Sequence, residues 1–80
     1  MAYEEQSKIV VEFLDEIKNN LPEVFTFIKE ETLGAATGLE YHGMLGKAVR
    51  SAFDKGLIPS TYKEKIARLE ESIDFMFTSR

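Results

Sequence analysis

Hydrophobic positions repeat with a helical period along nearly the whole chain. Val10, Phe13, Leu14 and Ile17 follow the i, i+3, i+4, i+7 rule, and Ile9 and Val11 widen the stripe, so a first helix is predicted over about residues 3–19. "NNLPE" then stops the chain and restarts it. Asn20 can cap, Pro22 fits a first turn where its missing N–H would be unpaired anyway, and Glu23 completes a box-like spacing. The second helix, about 21–33, presents Val24, Phe25, Phe27, Ile28 and Leu33, with Gly34 where a left-handed C-terminal residue is wanted.

Thr37 and Glu40 have the spacing of a capping box, which starts a third helix over about 38–55, ended by Gly56. A continuous, kinked helix across 34–37 is the alternative. "GLIPS" is a short link, and Thr61 with Glu64 repeats the box ahead of a fourth helix over about 61–78. There Tyr62, Ile66, Leu69, Ile73 and Met76 alternate steps of four and three, the seam of a coiled-coil-like packing. Phe75 and Phe77 flank its end. Strand signals are nearly absent, so the expected fold is all-α: one domain over 1–80, a small four-helix bundle or pair of helical hairpins.

The third helix carries the densest anomaly. His42, the only histidine, has Gly38 at i−4 and Gly46 at i+4, with Leu39 and Leu45 beside it. An interior glycine costs about 1 kcal/mol against alanine, so the expectation is a second helix crossing close over Gly46. His42 would then hydrogen-bond a neighbouring carbonyl or carboxylate. Gly43 lies about 100° from His42 around the helix, off the Gly38–Gly46 row, and is the comparison position: if it faces solvent, alanine there should stabilise. A metal or catalytic role for His42 needs converging donors, and Glu40 points to another face.

Composition adds bounds. Eighty residues bury only about 60% of their unfolded surface, and there is no cysteine to staple the chain. With nine aromatics and a wide first stripe, the apolar surface exceeds what so small a core hides, which leads to the expectation of a homodimer or an obligate protein partner. No signal peptide or apolar run of membrane-spanning length is visible, so a cytoplasmic protein without membrane contact is expected.

Charge is asymmetric. Residues 1–40 carry nine acidic and three basic side chains, whereas 44–68 sum to +4 through Lys47, Arg50, Lys55, Lys63, Lys65 and Arg68. Lys47, Arg50, Lys63, Lys65 and Arg68 form a candidate basic patch for nucleic acid, but Pro59, Tyr62 and Lys65 do not suit a helix-turn-helix. "GAATG" lacks the lysine and hydroxyl of a phosphate loop. The acidic pairs at 15–16, 30–31 and 70–71 read as solvated faces, and no nucleophile–base set has suitable spacing.

The function expected is therefore non-enzymatic and free of cofactor or metal: a small regulatory, inhibitor or adaptor protein that binds another protein through helical surfaces. Its candidate interface is Gly38, His42, Gly46, Tyr62, Ile66, Leu69, Ile73, Phe75, Met76 and Phe77. Two alternatives stand beside it: a nucleic-acid-associated factor using the basic patch, and a small-molecule or metal sensor around His42.

Overall fold

The computed structural model describes residues 2–78, with side chains from Glu4 onward. Helix α1 (Ala2–Asn20) is followed by α2 (Pro22–Glu31), α3 (Gly38–Asp54), a short 3-10 turn (Ser60–Tyr62) and α4 (Lys63–Thr78). No strand occurs among the described residues, so the chain is all-α. Each helix packs on its sequence neighbour, and α4 returns to close against α1. The radius of gyration, 11.9 Å, is close to the roughly 11.6 Å of a compact chain of this length.

The junctions follow local chemistry. α1 and α2 are separated by Leu21 alone, in a non-helical conformation ahead of Pro22 at the first turn. Asn20 ends α1 rather than capping α2, because the Leu21 N–H still donates to Ile17 O at 2.7 Å. α2 stops before Gly34. The buried Thr32 hydroxyl donates to Ile28 O at 2.9 Å and to Lys29 O at 3.2 Å, satisfying the last carbonyls without a left-handed residue. Gly34 has no positive φ.

α3 begins as its sequence predicts. The Glu40 N–H donates to Thr37 Oγ1 at 3.1 Å, and Glu40 Oε1 accepts from the Ala36 N–H at 2.9 Å. It also ends as predicted. Gly56 has φ +80°, and the bonds Gly56 N–H to Phe53 O and Leu57 N–H to Ala52 O complete a Schellman motif. The link then differs: Pro59 leads into the 3-10 turn and α4 starts at Lys63, so Thr61 is no cap.

The core is aliphatic. Val10, Ile17, Ile28, Leu45, Val49, Ile66, Leu69 and Met76 are buried, and Phe13 is the one buried phenylalanine or tyrosine among the described residues. Phe25, Phe27, Tyr41, Phe53 and Tyr62 pack around it half-exposed. Their outer faces carry cations: Lys29 over Phe25, Arg50 over Phe53, Lys55 over Phe27 and Lys65 over Tyr62, each within 6 Å of the ring centre. An interior this small fills with branched aliphatics first; the rings become its shell.

Candidate functional site

α3 and α4 run antiparallel. Gly43 lies against Phe77, Gly46 against Ile73 and Arg50 against Glu70, so advancing along one helix retreats along the other. The core stripe of α3 is His42, Leu45, Ala48, Val49 and Ala52. Next to it, Gly43 and Gly46 receive the Phe77 and Ile73 side chains of α4 against their backbone. Beside this contact opens a groove of about 1350 Å³, lined by Leu39 and Met44 on α3 and by Ile73 and Phe77 on α4.

Two charge arrangements mark the groove. Arg50 spans it toward α4, donating from Nε and Nη2 to the two Glu70 carboxylate oxygens at 3.0 and 2.8 Å. That hydrogen bond and the Glu70 charge push the guanidinium above its ordinary value. Lys47 and Asp74 also line it, each directly following a residue of the Gly46–Ile73 contact. The ion pairs among the described residues are Arg50–Glu70 and Lys65–Glu16, so Lys47 and Asp74 line the groove without such a partner, as do Glu40, Asp54 and Lys55.

Several expected interface residues lie elsewhere. Ile66, Leu69, Ile73 and Met76 are between 0% and 6% exposed, so the fourth-helix seam is consumed by the chain's own core and is not an open interface. The physical reason is the return of α4 between α1 and α3, which covers that stripe from both sides. Gly38 is exposed at the first position of α3, where a methyl group in place of its hydrogen would meet nothing within 4 Å. Tyr62 is half-buried, its hydroxyl 3.5 Å from Asn20 Nδ2. Phe75 and Phe77 are exposed, and Gly46, Ile73 and Phe77 are the members of the expected set that line the groove.

The glycines change places. A methyl on Gly43 would meet Phe77 Cζ at 3.1 Å, whereas one on Gly46 would meet Ile73 Cδ1 at an ordinary 3.4 Å. A helix does cross here, but its tight point is Gly43, which is half-buried rather than facing solvent. His42 is 9% exposed, and its Nδ1 has no hydrogen-bond partner, contrary to the expected carbonyl or carboxylate. Its ring meets Tyr41 edge-on at 5.7 Å. No three side chains of His, Asp or Glu converge to hold a metal ion among the described residues.

The cations of the candidate basic patch diverge. Arg50 pairs with Glu70 and Lys65 with Glu16 of α1 at 2.5 Å, while Lys47 faces the groove. Lys63 and Arg68 remain exposed on α4. Sequence spacing pointed to His42 and left Leu39, Gly43, Met44 and Asp74 out of the candidate interface. The signal was present as a second helical row on α3, residues 39, 43, 46 and 50, next to the core row.

A smaller cleft, about 260 Å³, lies between α1 and α2, with Val11, Leu14, Phe25 and Tyr41 along it. Burial raises the Tyr41 phenol above its ordinary 10.0. No helix among the described residues is long and apolar enough to cross a membrane. No family model, curated protein or solved structure matches the chain.

Proposed function

We propose that this chain is a small non-enzymatic regulatory, inhibitor or adaptor protein that acts by binding protein through the α3–α4 groove. One observation carries the reading. With the aliphatic core already closed, the two helices still hold open a groove whose walls offer Met44, Leu39 and the 41%-exposed Phe77. Thioether and aromatic walls supply adaptable contact area.

The test is affinity capture from an extract of the source cells, comparing variants that alter one surface at a time. Wild type and the Lys63→Ala/Arg68→Ala variant should retain the same captured protein, and Met44→Glu should lose it. Retention by Met44→Glu with loss in the Lys63→Ala/Arg68→Ala variant would contradict the groove and favour the basic residues of α4.

A further inference from the structure

We draw no further inference here: the strongest candidate, the α3–α4 groove beside the Gly43–Phe77 contact, is lined by charges of both signs and nothing in the structure shows what covers it.

Discussion

At the scale of single residues, Gly43 and Gly46 of α3 make opposite demands on the same neighbour helix. Replacing Gly46 by Ala adds a methyl at ordinary contact distance from Ile73 and gains helix propensity, so stability should rise by up to about 1 kcal/mol. Gly43→Ala gains the same propensity but presses on the Phe77 ring at 3.1 Å. That ring is exposed and can swing aside, at the loss of its packing. Thermal melts should therefore rank Gly46→Ala above Gly43→Ala, and in a Phe77→Ala background the two should become equal. His42 gives a different test. Its buried Nδ1 is unpaired, so His42→Leu should cost no more than about 1 kcal/mol. A loss of several kcal/mol on urea denaturation would show that the ring makes contacts beyond these. Tyr41 supplies a pH dependence. Its phenol is raised in the folded state, so the folded chain holds that proton more tightly than the unfolded one. This contribution is present below pH 10.0 and is lost as pH rises through the folded value. Alkaline melts should fall less steeply for Tyr41→Phe.

At the scale of elements, the sequence announced helices through side-chain chemistry and missed boundaries set by the backbone or by tertiary contact. Thr37, Glu40 and Gly56 were legible because each performs a local task that its residue type suits. Gly34 and Thr61 misled. The buried Thr32 hydroxyl ends α2 early, and Pro59 opens a 3-10 turn before α4, neither of which follows from periodicity. Ile58, 3% exposed in the link after α3, was likewise invisible to a helical pattern. The groove was partly legible: its glycines stood out at once, but which of them α4 presses depends on the angle of crossing. Gly56 makes the sharpest element-level prediction. At φ +80° an alanine side chain is strained, so Gly56→Ala should lower stability by about 1–2 kcal/mol in chemical denaturation.

For the whole molecule, the seam of α4 separates core from interface. Ile66, Leu69, Ile73 and Met76 close the interior, so Ile73→Asp should unfold the chain, at a cost above about 3 kcal/mol, rather than release a folded monomer. What remains outside is the α3–α4 groove, and the account stands on protein binding there. The most direct measurement compares amide spectra of uniformly ¹⁵N-labelled protein with and without the protein that it captures. Binding through the groove should concentrate the shifts at Gly43, Gly46, Lys47, Asp74 and Phe77, leaving Val11, Leu14 and Phe25 in place. Spectra unchanged by the captured protein, or shifts gathered on the α1–α2 side, would contradict it.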